Sequence, residues 1–221
     1  MKLASLKEGG PDGSLIVVNR ALSQAASAAL YAPTMRAALD DWAAVAAGLK
    51  VLAEELEAGQ AAGAFALDFA KLTAPLPRAA QFLDASGYLN HVELARRARG
   101  DSLPDTLETD PLMYQGVSEP MGGPCDAIYA ADESWGIDFE AESAVITGAV
   151  AMGASAEEAA KSIRLIMLVN DVSARRLVPA ELEKGFGFIH GKPPSAFSAV
   201  AVTPDELGAA WDGKRLHGRL R

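Results

Sequence analysis

The stretch Trp135-Gly-Ile-Asp-Phe-Glu-Ala-Glu-Ser-Ala-Val-Ile-Thr147 decides the fold, because its alternation of polar and apolar side chains predicts a β-strand that carries carboxylates. Successive strand side chains point to opposite faces, so Asp138, Glu140 and Glu142 share one face. Their carboxylates repel one another unless solvent, basic side chains or a cation lie between them. The stretch is therefore either a solvated strand face or part of a charged site.

A second acidic position follows an uninterrupted apolar run. The run Ile166-Met-Leu-Val169 predicts a buried strand, and the dipeptide Asn170-Asp171 follows it. An unpaired carboxylate at the end of a buried strand is costly to ionise, so this aspartate needs a partner. Arg175 or Arg176 would provide an ordinary ion pair, and a cation shared with the first acidic stretch is the alternative.

Two further positions can handle protons or charge. His91 lies in a predicted helix over residues 88–99, where a lone histidine is more often structural than catalytic. Lys192 lies in a glycine-flanked loop, 185–194, where a lysine is usually solvated. The candidate set comprises Asp84, Glu140, Glu142 and Asp171 as oxygen donors, with His91 and Lys192 as proton and charge handlers. Ligation by carboxylates alone selects a hard cation such as Mg²⁺, Mn²⁺ or Ca²⁺.

Composition restricts the setting of such a site. The chain has 221 residues, half of them hydrophobic, which is enough material for one or two domains with a sizeable core. Its formal net charge of -9 argues against nucleic acid and anionic membranes as partners. Cys125 is the single cysteine and the amino terminus lacks the apolar run of a signal peptide, so we expect a cytoplasmic protein without a membrane span.

The chain order predicts an α+β protein, mainly β, in two domains. Residues 3–6 and 14–18 read as strands joined by a glycine-rich turn, and an amphipathic helix follows from Thr34 to about Gly59. An Ala/Gly-rich passage and the segment Leu72-Thr-Ala-Pro-Leu-Pro77 then favour a boundary. We therefore predict domains over residues 1–75 and 76–221.

Five pieces of the sequence together resemble the fumarylacetoacetate hydrolase family, in its fumarylacetoacetase-like branch. They are Asp84 with His91 seven positions on, Tyr114 in Pro-Leu-Met-Tyr-Gln-Gly, the pair Glu140-Ala-Glu142, Asn170-Asp-Val-Ser-Ala-Arg175, and Gly191-Lys192. The resemblance runs from about residue 75 onward. It implies a catalytic β-roll preceded by a small β-rich amino-terminal domain with one amphipathic helix, and a homodimer.

The resemblance also implies roles for the site residues. Asp84, Glu140, Glu142 and Asp171 would be metal ligands, His91 the general base, and Lys192 and Tyr114 the substrate contacts. The implied reaction is metal-dependent hydrolysis of a carbon–carbon bond in a β-diketone or acylpyruvate-like acid such as fumarylacetoacetate, with Mg²⁺ as the first choice of cation, in the catabolism of aromatic compounds. The alternatives are a decarboxylase, hydratase or isomerase of a small oxo acid, a non-catalytic cation-binding fragment, and a plain domain with solvated acids.

Two departures from the family pattern lead to further expectations. Ser86 stands where fumarylacetoacetases carry a tyrosine, with Tyr88 nearby, so the substrate stays open. The chain ends at Arg221, where the family continues with a Gly-Ser-Gly-Thr-like segment and the acidic partner of the histidine. We therefore expect a truncated, incomplete roll with exposed apolar edges. Asp138 we expect to support the site without binding the cation.

Overall fold

Short antiparallel strands and five α-helices make up the part of the chain that the computed structural model describes, residues 1–117 and 121–218. The strands are β1 Lys2–Leu6, β2 Ser14–Val18, β3 Gln24–Ser27, β4 Phe65–Ala66, β5 Leu83–Ala85, β6 Met113–Gln115, β7 Ile137–Asp138, β8 Ala141–Thr147, β9 Ile163–Asn170, β10 Ser173–Ala174, β11 Ala196–Phe197 and β12 Ala201–Val202. The helices are α1 Met35–Asp40, α2 Trp42–Glu57, α3 Leu89–Arg99, α4 Ala156–Ala160 and α5 Val178–Lys184. Residues 219–221, and with them the chain end at Arg221, lie outside the described residues.

One eight-stranded sheet runs through both predicted domains. Its order is β11-β9-β12-β1-β2-β3-β4, with β8 also paired to β9. The first strand lies against the last, since Lys2 pairs with Val202 and Leu3 with Ala201 in antiparallel register. The sheet therefore joins the segments before and after residue 75.

The amino-terminal predictions are largely confirmed. Strands β1 and β2 form a hairpin, and Gly13 in its turn has a φ of +66° and no room for a Cβ, which would lie 2.4 Å from the Leu6 carbonyl oxygen. The predicted helix begins at Thr34, whose hydroxyl accepts from the Ala37 backbone N–H at 3.1 Å. It is two helices rather than one, because Asp41 adopts a non-helical φ of -126° and ψ of 40° between α1 and α2.

The apolar face of α2 packs on the sheet and helps to form one continuous core. Its leucines Leu49, Leu52 and Leu56 are buried with residues of β1 and β2. The same core extends to β8, β9 and β11 through Ile146, Leu165 and Phe197. The core thus anchors the two central strands of the carboxy-terminal part, β8 and β9, to the rest of the molecule.

The predicted strand over residues 135–147 is divided into separate elements. Strand β7 pairs with β10, where Asp138 lies opposite Ser173, whereas β8 pairs with β9. Glu140 lies between the two short strands and belongs to neither. The two faces of this stretch are also buried in the opposite sense to the prediction. Phe139, on the predicted apolar face, is 69% exposed, whereas Ile146, on the Glu142 face, is 5% exposed.

Other elements agree with the sequence more closely. Helix α3 ends at Gly100, which has a φ of +78°, as the glycine at that position predicts. Ser155 and Glu158 form the predicted capping box of α4. The predicted strand over residues 196–202 consists of β11 and β12, which both pair with β9.

Within the described ranges, no helix combines the length and the apolar character that crossing a bilayer requires.

Candidate metal centre

Three carboxylates converge near the end of β9. Asp84 comes from β5, Glu142 from β8, and Asp171 follows β9 directly. Each offers one oxygen, and these oxygens lie within 4.8 Å of one another. Asp84 is 9% exposed and Asp171 2% exposed, and Glu142 is half-buried. The β8–β9 ladder explains part of the convergence, because it sets Glu142 opposite Val169, two residues before Asp171.

The β5–β6 pair brings Asp84 to the other two acids. In this ladder Asp84 lies opposite Tyr114. The Tyr114 hydroxyl donates to Oδ2 of Asp171 at 3.0 Å, so a single side chain connects the pair to the end of β9. The Phe188 ring meets the Tyr114 ring edge to face, with centroids 4.8 Å apart. Tyr114 is thereby fixed from two sides.

Crowding of the acids changes how they titrate. Burial, together with the negative charge of Asp171, raises the pKa of Asp84. Burial and the charges of Asp84 and Asp171 raise the pKa of Glu142 to about 7, against the opposing effect of Lys192. Burial and the same two aspartates raise the pKa of Tyr114 well above its ordinary value, so its hydroxyl stays a donor. A divalent cation among these oxygens would reverse the effect on the carboxylates.

Glu140 is held beside the cluster by two basic side chains. Its Oε2 accepts from Lys192 Nζ at 2.5 Å and from Ser173 Oγ at 2.9 Å, and its Oε1 is in contact with the Arg175 guanidinium. Lys192 also donates to Oδ2 of Asp171. The ammonium group therefore bridges Glu140 to the three-carboxylate cluster.

The cluster is chemically suited to a hard divalent cation. Its donors are carboxylate oxygens, and among the described residues no His or Cys takes part in it. Lys192 touches only Asp171 of the three acids in the described chain, so its single positive charge leaves an excess of negative charge. A divalent cation would remove the repulsion that raises the pKa values of Asp84 and Glu142.

His91 lies at the rim of this centre. Its Nε2 is 3.8 Å from Oε1 of Glu140, and its side chain is 52% exposed. Helix α3, which begins two residues earlier, places the ring there. The imidazole is thus open to solvent on one side and faces a carboxylate on the other.

A cleft of about 620 Å³ opens beside the centre. Asp84 and Glu142 line one part of it, and apolar side chains that include Phe82, Met167 and Phe197 line another. The cleft gives a small molecule access to two of the three clustered acids.

Set against the sequence hypotheses, the structure brings Asp84, Glu142 and Asp171 together and places Glu140, Lys192, Tyr114 and His91 around them. Asp171 pairs with Lys192, and Arg175 pairs instead with Asp138 and Glu140. Asp138 therefore supports Arg175 and makes no contact with the cluster among the described interactions. Ser86 and Tyr88 are both exposed.

Two site residues escaped the sequence reasoning. Ser173 donates to Glu140, and its signal was present as the serine of the Asn-Asp-x-Ser-Ala-Arg run. Glu181 accepts three backbone hydrogen bonds from the loop before Lys192, and a glutamate in a short helix gives no such signal. The first was recognisable as part of a motif, and the second required the folded loop.

The raised pKa of Glu142 predicts how the stability depends on pH. Its folded value of about 7 lies above the ordinary 4.5, so between these values the folded state binds more protons than the unfolded state. Without added cation, we expect the melting temperature to fall as the pH rises from 5 to 7, and less in Glu142→Gln. Differential scanning fluorimetry with a chelator measures this, and equal pH slopes in both proteins would contradict it. Added Mn²⁺ should raise the melting temperature most at pH 8, where Glu142 is largely ionised and no proton has to leave it when the cation binds.

Two family models match the sequence. The model of the Fumarylacetoacetase N-terminal domain 2 matches residues 1–78, and that of the Fumarylacetoacetate (FAA) hydrolase C-terminal matches residues 81–220. The chain belongs to the fumarylacetoacetate hydrolase family, as the sequence motifs indicate. The matches meet close to residue 75, and the division into two domains there stays a prediction.

A curated relative is the 2,4-didehydro-3-deoxy-L-rhamnonate hydrolase of Sphingomonas sp. (strain SKA58). It is 31% identical over 109 residues, a match that covers 48% of this chain and 37% of the relative. This chain therefore spans little more than a third of that relative's length.

Solved structures of the family share the fold. The maleylpyruvate hydrolase of Sphingobium sp. SYK-6, in complex with manganese(II) ion and pyruvate, is 15% identical with a TM-score of 0.63, over 95% of this chain and 70% of that one. The fumarylacetoacetate hydrolase of Exiguobacterium antarcticum is 21% identical with a TM-score of 0.59, over 93% of this chain and 67% of that one. At these identities the likeness shows the fold alone, and it confirms the predicted α+β fold of the fumarylacetoacetate hydrolase type.

Proposed function

We propose that the protein is a divalent-metal-dependent hydrolase that cleaves a carbon–carbon bond in a β-diketone or acylpyruvate-like acid such as fumarylacetoacetate. The observation that carries the proposal is the convergence of Asp84, Glu142 and Asp171 within 4.8 Å. Membership of a family whose relatives include hydrolases supports the reaction class. The cleft beside Asp84 and Glu142 is large enough for a small acid of this kind.

The cation would be held by Asp84, Glu142 and Asp171, with Glu140 as a fourth carboxylate beside them. Bound there, it would supply Lewis-acid polarisation of the substrate's carbonyl oxygens. Mg²⁺ is the first choice from the sequence, and Mn²⁺ satisfies the same oxygen ligands. The manganese complex of the maleylpyruvate hydrolase supports a divalent cation in this fold.

His91 is proposed as the general base. It would take a proton from the water molecule that attacks the substrate carbonyl carbon, and Glu140, 3.8 Å from Nε2, would stabilise the positive charge that the ring acquires. The water hydroxyl joins the carbonyl carbon, the bond to the adjacent carbon breaks, and its electron pair remains on the leaving fragment. That fragment takes up a proton and departs as a keto acid, while the acyl fragment leaves as a carboxylic acid.

Lys192 and Tyr114 are proposed to hold the substrate. The Lys192 ammonium would attract the carboxylate of the acid and the developing negative charge of the leaving fragment. The raised pKa of Tyr114 keeps its hydroxyl protonated, so it can donate a hydrogen bond throughout the reaction. Both groups lie beside Asp171, next to the proposed cation.

A substrate panel tests this proposal. We expect the purified protein with Mn²⁺ or Mg²⁺ to hydrolyse at least one of fumarylacetoacetate, maleylpyruvate and acetopyruvate, measured as loss of diketone absorbance and release of the keto acid. Release of carbon dioxide from oxaloacetate without hydrolysis of any diketone would favour a decarboxylase instead. Cation binding without turnover would favour a non-catalytic domain.

The remaining expectations belong to the same proposal. A role in the breakdown of aromatic compounds follows from the substrate class. A homodimer is expected from the family, and sedimentation of the purified protein would measure it. The single cysteine, Cys125, supports the reducing cytoplasm as its location.

A further inference from the structure

We propose that Glu181 is a positioning residue, whose carboxylate holds the loop before Lys192 and so places the Lys192 ammonium between Glu140 and Asp171. Glu181 lies in the first turn of α5, which precedes this loop. The role of Lys192 in holding the substrate rests on the proposed function. The placement of its ammonium group is separate from that function and has its own measurement.

The glutamate binds three consecutive backbone N–H groups. Oε2 accepts from Ile189 at 3.2 Å and from Gly191 at 2.9 Å, and Oε1 accepts from His190 at 2.8 Å. Consecutive N–H groups that point to one side form a recognised site for an anion. Although burial alone would raise it, these hydrogen bonds lower the pKa of Glu181 below its ordinary value, so the carboxylate stays ionised at neutral pH. Hydrogen bonds to an ionised acceptor are stronger than neutral ones.

Close packing at Gly191 fixes the same segment. A Cβ at this position would lie 2.7 Å from Oε2 of Glu181 and 3.0 Å from a methyl group of Val178. An added methyl group at Gly191 would therefore have to displace the Glu181 carboxylate from its present position. The residue that precedes Lys192 is thus held directly against α5.

The carbonyl group of Gly191 is hydrogen-bonded to β10, the strand that includes Ser173. The carbonyl oxygen accepts from the Ala174 backbone N–H at 2.9 Å. Ser173, the other residue of β10, donates to the same Glu140 oxygen, Oε2, that Lys192 contacts. The peptide before Lys192 is therefore clamped between Glu181 and β10, and its side chain has a short path to Glu140.

Among the described residues, few packing contacts restrain the outer part of the loop. Phe186 is 98% exposed and Ile189 is 72% exposed, so these apolar side chains contribute little packing. Phe188, which meets the Tyr114 ring, is the apolar contact described for this segment. In the part of the chain that the structure describes, the hydrogen bonds to Glu181 are therefore the main restraint on the backbone of residues 189 and 190.

Chemical labelling of lysines tests the placement without any reference to catalysis. The Lys192 side chain is 12% exposed and ion-paired, so acetic anhydride should acetylate it slowly in the wild-type protein. In Glu181→Ala we expect its labelling rate, measured by mass spectrometry, to rise at least about tenfold, because three charge-assisted hydrogen bonds are lost. Glu183→Ala, an exposed position on the same helix, is the matched control and should label like the wild type.

Two internal standards separate a local change from unfolding. Lys184 is exposed and should react quickly in every variant. Lys2, with a side chain 19% exposed and paired with Glu206, should stay slow unless the whole protein opens. Gly191→Ala should release Lys192 in the same way, through the clash with the carboxylate. If Lys192 stays protected in Glu181→Ala while Lys2 is unchanged, the proposal is overturned.

Binding of pyruvate in the presence of Mn²⁺ then connects the placement to function. We expect Glu181→Ala and Lys192→Met to weaken pyruvate binding in calorimetry by similar factors, and the double variant to bind no more weakly than Lys192→Met. Glu181→Gln, which keeps one acceptor oxygen, should recover part of the loss. Faster labelling with unchanged pyruvate binding in both single variants would support the placement and refute the proposed substrate contact. Weaker binding in Lys192→Met alone would refute the role of Glu181.

Discussion

Glu142→Ala should remove divalent-cation binding, and with it any metal-dependent turnover. Loss of a group that merely supports a ligand typically lowers metal affinity by about 10- to 100-fold, so removing one of three clustered carboxylates should exceed that loss. The measurement is calorimetric titration with Mn²⁺. Because Glu142 contributes to the repulsion among the acids, the variant without cation should melt no lower than the wild type.

A neighbouring position provides the control for this experiment. Ser143 is the next residue of β8, is exposed, and points to the opposite face of the strand. Ser143→Ala should bind Mn²⁺ as the wild type does. Unchanged Mn²⁺ affinity in Glu142→Ala would mean that Glu142 is not a ligand. Glu140 would then replace it as the proposed third carboxylate ligand.

His91→Ala should lower the hydrolysis rate by about 10²- to 10⁴-fold, the usual contribution of a general base, and leave Mn²⁺ affinity unchanged. The reason is geometric, since His91 faces Glu140 from the rim and takes no part in the three-carboxylate cluster. Steady-state kinetics with the best substrate of the panel and calorimetric titration with Mn²⁺ provide the two readouts. Asn90→Ala, at an exposed position in the same turn of α3, is the control.

The two readouts together define the role of the histidine. Full activity in His91→Ala would remove it from the chemistry. Parallel losses of activity and Mn²⁺ affinity would mean that it organises the acids around the cation. Only a loss of rate at constant affinity fits the general base.

Local rules predicted the elements whose partners are close in sequence. The β1–β2 hairpin follows from its glycine-rich turn, α3 from the glycine that ends it, and α4 from the capping box of Ser155 and Glu158. In each case the stabilising contact joins residues that lie within a few positions of one another. These contacts can be read directly from the chain.

The division of the acidic stretch could not be read in this way. Ile137 and Asp138 pair with Ser173 and Ala174, whereas Ala141 pairs with Asn170, so two ladders with different partners meet at Glu140. Alternation along the chain carries no information on which distant strand each residue meets. The same limit explains why Lys192 rather than an arginine pairs with Asp171. The family motif named the acids of the site, but their ion-pair partners depend on the tertiary fold.

The pairing of β1 with β12 has a consequence for the order of events during synthesis. Lys2 and Leu3 can acquire their partners only after Val202 and Ala201 have left the ribosome, so this end of the outer edge of β1 stays unpaired until then. The other end of the same edge, at Ser5 and Lys7, bonds to residues 71–73, which emerge much earlier. At about 5–20 residues per second, this delay amounts to roughly 10–40 seconds. Contacts of such large sequence separation also slow folding itself. Chaperones that shield an unpaired strand edge would therefore act on the nascent amino-terminal hairpin, well before the acidic centre exists.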